Sequence, residues 1–237
     1  MTPFVPPRDY ARIKQVENFH ELLTTPFAGG VNALYWPRAL TGDFGEIARL
    51  LGRGDESAII TPDETCLLAL PLSEAGRAAV QIMLHDLRLL REHALDPVLN
   101  CIRAYPRDEE PGPVRTDVFS FHADSAPVMA DTWLCTYHGP SSEGLRNDQA
   151  RRRVDLAETR AALLKDFGGA DDATFRDYLN ENCYDLHYAP NEGAQPFSFG
   201  LGHLWRIACE YPGSPVPPCL HRAPDTRPGE FRLLLIS

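Results

Sequence analysis

Residues Val118-Phe119-Ser120-Phe121-His122-Ala123-Asp124 alternate apolar with small or polar side chains. This period of two predicts a strand with one buried face, which we place over residues 115–121. His122 and Asp124, at its end, are separated by one residue. Side chains two apart in an extended chain point to the same side, so this imidazole and this carboxylate can converge on one ion. The stretch therefore predicts half of a metal site.

A third ligand must come from elsewhere, and His221 follows a strand predicted over residues 216–220. Two histidines and one carboxylate are the ligand set that holds Fe(II) and leaves positions open for a co-substrate and oxygen. An H-x-D pair alone is a weak motif, but none of the other seven histidines has an acidic residue two positions later. His187 is the rival third ligand, although no basic residue follows it at a suitable distance.

The composition describes an acidic globular protein. The 237 residues are 43% hydrophobic and 24% charged, with a net charge of −10 and a pI of about 5.2. This charge argues against nucleic acid or an anionic membrane as a partner and favours a small-molecule partner. No signal peptide or bilayer-length apolar run is evident, so we expect a cytoplasmic protein; the sequence leaves a homodimer open. The six cysteines form no C-x-x-C pair and are expected to be reduced core residues.

The order of predicted elements indicates a mainly β fold with packed helices, an α+β protein of the jelly-roll or double-stranded β-helix type. Residues 1–98 form an N-terminal helical and strand support region, and residues 99–237 form the core. A helical insertion at about 155–182 interrupts the core, and the whole is one integrated domain. The predicted helices cover residues 16–23, from Thr41 or Asp43 to 51, 73–94, 156–167 and 172–179. The predicted strands cover residues 31–36, 99–105, 115–121, 131–137, 184–188, 204–209, 216–220 and 231–236. Residues 106–113 are predicted as a charged, Pro-rich turn and 141–150 as a polar loop.

Three segments in order carry a resemblance: Phe121-His122-Ala123-Asp124, Cys219-Leu220-His221-Arg222-Ala223-Pro224 and Gly229-Glu230-Phe231-Arg232. Over about residues 99–237 the chain resembles the iron(II)/2-oxoglutarate-dependent oxygenases of the bacterial biosynthetic type. Their motif is H-x-D/E, a distal His, and an Arg or Lys about ten residues later. The resemblance implies a double-stranded β-helix in which His122, Asp124 and His221 bind iron and act with O2.

The same resemblance implies that Arg232 binds the distal carboxylate of 2-oxoglutarate, since a guanidinium pairs with a carboxylate bidentately. The chain departs from the pattern at Leu234, where some members have Ser or Thr, so Arg222 and Arg227 remain alternative anchors. Arg222 ranks second because strand alternation points it away from the side chain of His221.

Polar residues on the flanking strands complete the predicted site. Arg103, Tyr105 and Thr136 are expected to contact the co-substrate carboxylates. The substrate is expected to meet residues on or after the following strand, namely Tyr137, Glu143, Arg146 and Asn147.

The cation, carboxylate and amide of this loop suit a zwitterion, so the expected substrate is a small polar metabolite such as a free amino acid or a derivative of one. The expected reaction is hydroxylation of an unactivated C–H bond, or desaturation or ring closure. Two alternatives stay open. In the first, the protein is a cupin-type metalloenzyme that does not use 2-oxoglutarate. In the second, it is a metabolite-binding jelly roll without catalytic activity.

Overall fold

A computed structural model describes residues 4–53, 57–109, 112–227 and 229–237. The protein is α+β, with two sheets and few helices. The helices are α1 (Phe19–Thr24), α2 (Phe44–Leu51), α3 (Glu64–Ala69), α4 (Glu74–Arg91), α5 (Ala157–Phe167) and α6 (Ala173–Glu181). The strands are β1 (Ile13–Gln15), β2 (Ala33–Trp36), β3 (Ile59–Ile60), β4 (Val98–Ile102), β5 (Phe121–His122), β6 (Asp131–His138), β7 (Glu143–Leu145), β8 (Ala150–Arg152), β9 (His187–Pro190), β10 (Phe197–Ser198), β11 (Leu204–Ala208), β12 (Leu220–Arg222) and β13 (Arg232–Ile236).

The first sheet has seven strands in the order β1-β2-β11-β6-β13-β4-β3. Only the β1–β2 pair is parallel among the strand pairs of the described residues. The sheet takes strands from both sides of residue 98, so the N-terminal region is built into the same sheet as the core. One face packs against the helices, where Leu233 and Leu235 of β13 join the largest apolar cluster. The other face carries the alternate residues, including Arg232 and Leu234.

The second sheet has six strands in the order β10-β7-β12-β5-β9-β8, all antiparallel. Its centre pairs β12 with β5, which places His221 directly opposite His122. On the other side of β5, His187 of β9 also pairs with His122. Paired residues on neighbouring strands share a face, so the three imidazoles form one row across the sheet.

The five predicted helices are present, whereas α3 was not predicted, and three of the five begin at a local side-chain cap. Asp43 accepts a hydrogen bond from the Glu46 amide, and Ser73 accepts one from the Gly76 amide. Asp172 caps α6 in the same way. Each cap satisfies an amide that has no partner within its helix, and cap and partner lie at most three residues apart. The helix predicted over 16–23 begins further along the chain, at Phe19 of α1, with Asn18 as its cap.

Three strand predictions need correction. Residues 117–120 form a turn in which Asp117 accepts hydrogen bonds from the amides of Phe119 and Ser120, so the strand predicted over 115–121 shrinks to β5. The strand predicted over 216–220 begins later, at Leu220, because Pro217 and Pro218 lack the N–H groups that a sheet ladder needs. The strand predicted over 184–188 starts as a 3-10 turn and becomes β9 only at His187.

One loop prediction also needs correction, and another falls partly outside the described residues. The loop predicted over 141–150 contains β7, which pairs with β12 and β10. Within the turn predicted over 106–113, Glu110 and Pro111 lie outside the described residues. No helix in the described part of the chain has the length and apolar character needed to cross a bilayer.

A buried ion pair anchors α4 to the first sheet. Asp86 is fully buried on the apolar face of α4 and accepts hydrogen bonds from Arg38 and Tyr137, each at 2.7 Å. The carboxylate of Asp86 has both a cation and a phenol as partners, which offsets the cost of burying its charge. The sequence pattern of the helix did not predict this buried charge.

Candidate metal centre

The cross-strand pair of β5 and β12 builds the site. It brings the rings of His122 and His221 to 4.6 Å between centroids. Asp124 follows β5, with carboxylate oxygens 3.9 Å from Nε2 of His122 and 3.6 Å from Nε2 of His221. One ligand atom from each of the three residues lies within 4.8 Å of the others. The structure therefore brings together the three ligands that the sequence predicted.

Hydrogen bonds orient each ligand. Nδ1 of His122 lies 2.8 Å from the carbonyl oxygen of Ser120, so Nδ1 carries the proton and Nε2 keeps a free lone pair. Nδ1 of His221 lies 3.4 Å from the Cys219 carbonyl oxygen. Thr132 of β6 donates to Oδ2 of Asp124 at 2.5 Å, which fixes the carboxylate plane. Such outer hydrogen bonds set the tautomer and direction of metal ligands.

The protonation states also suit a cation. Burial, and after it the neighbouring His221, lowers the pKa of His122 to about 4, so the ring is neutral near pH 7. Burial alone would raise the pKa of Asp124, but His221 and the hydrogen bond from Thr132 hold that pKa below its usual range. Neutral imidazole and ionised carboxylate are the forms that bind metal.

The ligand spacing is close to what an ion requires. Ligand atoms that share one ion at about 2.1 Å lie about 3.0 to 3.4 Å apart, and two contacts here are 3.6 and 3.9 Å. These two contacts use different oxygens of Asp124, and one ligand atom from each residue lies within 4.8 Å of the others, so the cluster could hold a metal ion once its side chains move closer together. His187 does not belong to this cluster. Its ring centroid lies 5.7 Å from that of His122, and its buried Nδ1 has no partner among the described residues.

The triad lines a cavity of about 240 Å³ whose other wall carries Arg232. Arg232 is only 1% exposed, and it donates to Tyr105 at 2.9 Å, Thr136 at 3.3 Å and Ser142 at 2.5 Å. Its Nε has no hydrogen-bond partner and its guanidinium no paired carboxylate among the described residues. Burial lowers the pKa of Arg232. A buried cation without a counter-charge is costly unless an anion binds beside it.

Of the three other residues predicted to contact the co-substrate, two lie beside Arg232 and one does not. Tyr105 and Thr136 contact Arg232. Arg103 lies outside this cavity, where it donates to the Gly52 carbonyl oxygen and stacks on Phe231.

The residues predicted for the substrate lie largely outside the cavity or are already paired. Tyr137 is on the helix-facing side of β6, where it binds Asp86, because successive side chains of a strand alternate between faces. Asn147 contacts Tyr10 and the carbonyl oxygen of Pro218. Arg146 pairs with Asp148.

The two alternative anchors also differ in position. Arg222 lines the cavity but pairs with Glu143 at 2.6 Å. Arg227 is exposed and is not among the residues that line the cavity.

Sequence reasoning missed four residues of this site. Thr132 and Ser142 are single hydroxyl residues without a motif, and Ile59 and Asn100 come from the N-terminal region and from β4. Only the pairing of distant strands brings them together.

No protein-family model matches the chain, and the searches of curated proteins and of solved structures also returned no match.

Proposed function

We propose that the protein is a non-haem Fe(II)/2-oxoglutarate-dependent oxygenase that oxidises a C–H bond of a small molecule. One observation carries the proposal: a two-His, one-carboxylate cluster and a buried, uncompensated guanidinium line the same cavity. The first feature suits a divalent ion with open coordination positions, and the second suits an organic anion. A cavity of about 240 Å³ has room only for small molecules, so the organic anion and the molecule that is oxidised must both be small.

Each group has a distinct role. His122, Asp124 and His221 would hold the iron, and Thr132 would keep the Asp124 carboxylate turned towards it. When bound, the iron supplies the activation of oxygen: one atom of O2 enters the substrate, and the other enters the succinate formed with CO2 from 2-oxoglutarate. Hydroxylation is the default outcome; in desaturation or ring closure the substrate would instead lose two hydrogen atoms and that oxygen atom would leave as water. The chain itself would bind and orient the reactants and exclude water from the site.

Arg232 would bind the carboxylate of 2-oxoglutarate that does not reach the metal. Its three hydroxyl partners fix the direction of the guanidinium without neutralising it. An arriving carboxylate would supply the missing counter-charge, and Nε would gain a partner. Such a charge-assisted pair is strong because the site is buried.

The winding of the strands supports a jelly roll as the finer description of the fold. From β4 to β7, and again from β10 to β13, successive strands alternate between the two sheets. The segment with α5 and α6 lies between β7 and β10, which form a pair, so it extends the fold without breaking this order. A jelly roll consists of two such sheets packed face to face.

The test is anaerobic addition of Fe(II) and then 2-oxoglutarate to the purified protein. We expect one iron per chain, a weak visible charge-transfer band when 2-oxoglutarate is added, and succinate release on admission of air. His122→Ala and His221→Ala should each lose the iron, whereas His85→Ala, at an exposed position of α4, should keep it.

Full iron occupancy in both ligand variants would refute the triad. Metal-dependent turnover without 2-oxoglutarate would indicate the cupin-type alternative. A protein that binds no stoichiometric metal would indicate the non-catalytic one.

A further inference from the structure

The inner face of the first sheet continues outward from Arg232 as an apolar surface. In register, Arg232 pairs with Ile102, Leu234 with Asn100 and Ile236 with Val98. Ile59 of the edge strand β3 also pairs with Ile102. Because paired residues share a face, these side chains form one continuous surface. Most of them line the same cavity as the metal ligands.

This surface is only partly covered. Ile59 is 39% exposed, Val98 38% and Ile236 36%, and Val118 beside the cavity is 36% exposed. These are among the few exposed large apolar side chains of the described residues, and Ile59, Val118 and Ile236 line the cavity itself. Contiguous exposed apolar residues at the mouth of a cavity are typical of a ligand-binding surface.

The polar groups of the cavity are almost all engaged. Tyr105 and Ser142 bind Arg232, and Arg222 pairs with Glu143. Asn100 is different: its Oδ1 accepts a hydrogen bond from Thr61 at 2.9 Å, and its Nδ2 has no partner within the described ranges. Once Arg232 holds the co-substrate and Asp124 a metal ion, the described residues of the cavity offer a second molecule one amide donor and no unpaired charge.

We infer that the substrate is an uncharged molecule with an aliphatic or aromatic body and a carbonyl-type oxygen. Its body packs on Ile59, Val118 and Ile236, and its oxygen accepts a hydrogen bond from Nδ2 of Asn100. This inference rests on the proposed function, in which Arg232 is occupied by the co-substrate. It replaces the amino-acid substrate expected from the loop charges, since Arg146 and Glu143 are each paired within the protein.

The experiment compares two probes of similar length, N-pentylacetamide and norleucine, by saturation-transfer NMR with the protein held in excess Zn²⁺ and 2-oxoglutarate, so that the metal ligands and Arg232 are occupied. This readout needs neither iron nor turnover, so its failure is distinct from failure of the iron and succinate test. We expect a clear signal for the neutral amide and little or none for the zwitterion. Equal signals, a preference for norleucine, or no signal from either probe would overturn the inference.

Two variants locate the probe. Asn100→Leu should weaken amide binding about threefold to tenfold, the usual effect of losing one neutral hydrogen bond. Ile59→Asn should weaken it to a similar degree by removing apolar contact, and because Ile59 is partly exposed the fold should survive. The matched control is Val128→Asn, at a 69% exposed position that does not line the cavity. If all three variants bind the amide like the wild type, the probe is not on this surface and the inference fails.

Discussion

Replacement of Arg232 by Gln should abolish co-substrate binding while leaving the fold intact. Removing one partner of a buried ion pair costs about 3 to 5 kcal/mol. At about 1.4 kcal/mol per factor of ten, the dissociation constant of 2-oxoglutarate should rise about 100-fold or more. The free protein should change little in stability. It loses three hydrogen bonds of about 1 kcal/mol each, but it also loses the cost of burying an unpaired charge.

The assay is thermal unfolding of the Mn²⁺-loaded protein with and without 2-oxoglutarate. At 100 times the wild-type dissociation constant, the ligand should stabilise the wild type by about 2.7 kcal/mol. That corresponds to a rise in Tm of about 5 to 10 °C for a chain of this size. At the same concentration, Arg232→Gln should gain about 0.4 kcal/mol, a shift of about 1 °C.

Arg222→Gln is the matched control because Arg222 lines the same cavity but pairs with Glu143 and is about one-third exposed. A partly exposed pair contributes at most about 1 kcal/mol, so 2-oxoglutarate affinity should fall less than about fivefold. A larger loss in Arg222→Gln than in Arg232→Gln would make Arg222 the anchor. Unchanged ligand-induced stabilisation in both variants would refute the assignment of this cavity to 2-oxoglutarate.

Three further substitutions test the structure. Thr132→Val should lower metal affinity about 10- to 100-fold by releasing the Asp124 carboxylate, whereas Thr132→Ser should retain it, as metal titration would show. Asp86→Ala should destabilise the protein by about 3 to 5 kcal/mol in urea unfolding, because it leaves Arg38 buried without its partner; a loss below 1 kcal/mol would contradict the ion pair. Burial and then Arg38 lower the pKa of His203, so the protein should lose stability as pH falls below about 6.5, where the unfolded chain takes up the proton. His203→Gln should flatten that slope between pH 7.5 and 5, and an unchanged slope would count against a neutral, half-buried ring.

The sequence alone determined the elements whose stabilising contacts are local. Helices α2, α4 and α6 begin where predicted because Asp43, Ser73 and Asp172 cap amides within three residues. Strands β6, β11 and β13 were found for a related reason, since a run of apolar residues identifies a buried strand without reference to its neighbours.

Local competition also explains the strand predictions that were wrong. The alternation of residues 118–124 predicted a full strand, but the Asp117 side chain binds nearby amides and holds a turn instead. The late start of β12 was readable in principle, because Pro217 and Pro218 cannot donate to a ladder.

For the site, the sequence supplied the ligand types and half of their geometry. His122 and Asp124 are close in the chain, so their convergence follows from backbone geometry. That His221 and not His187 joins them depends on how the side chains of β12 and β9 meet β5, although both strands pair with it.

Only the tertiary structure decided the surroundings of these ligands. Thr132, Ser142 and Asn100 belong to this site because the fold places them next to Asp124, next to Arg232 and in the cavity wall, respectively. Pairing with Glu143 likewise occupies the charge of Arg222, which the sequence offers as free. Hydrogen bonding and burial depend on which groups lie opposite, and segments far apart in the chain supply those groups.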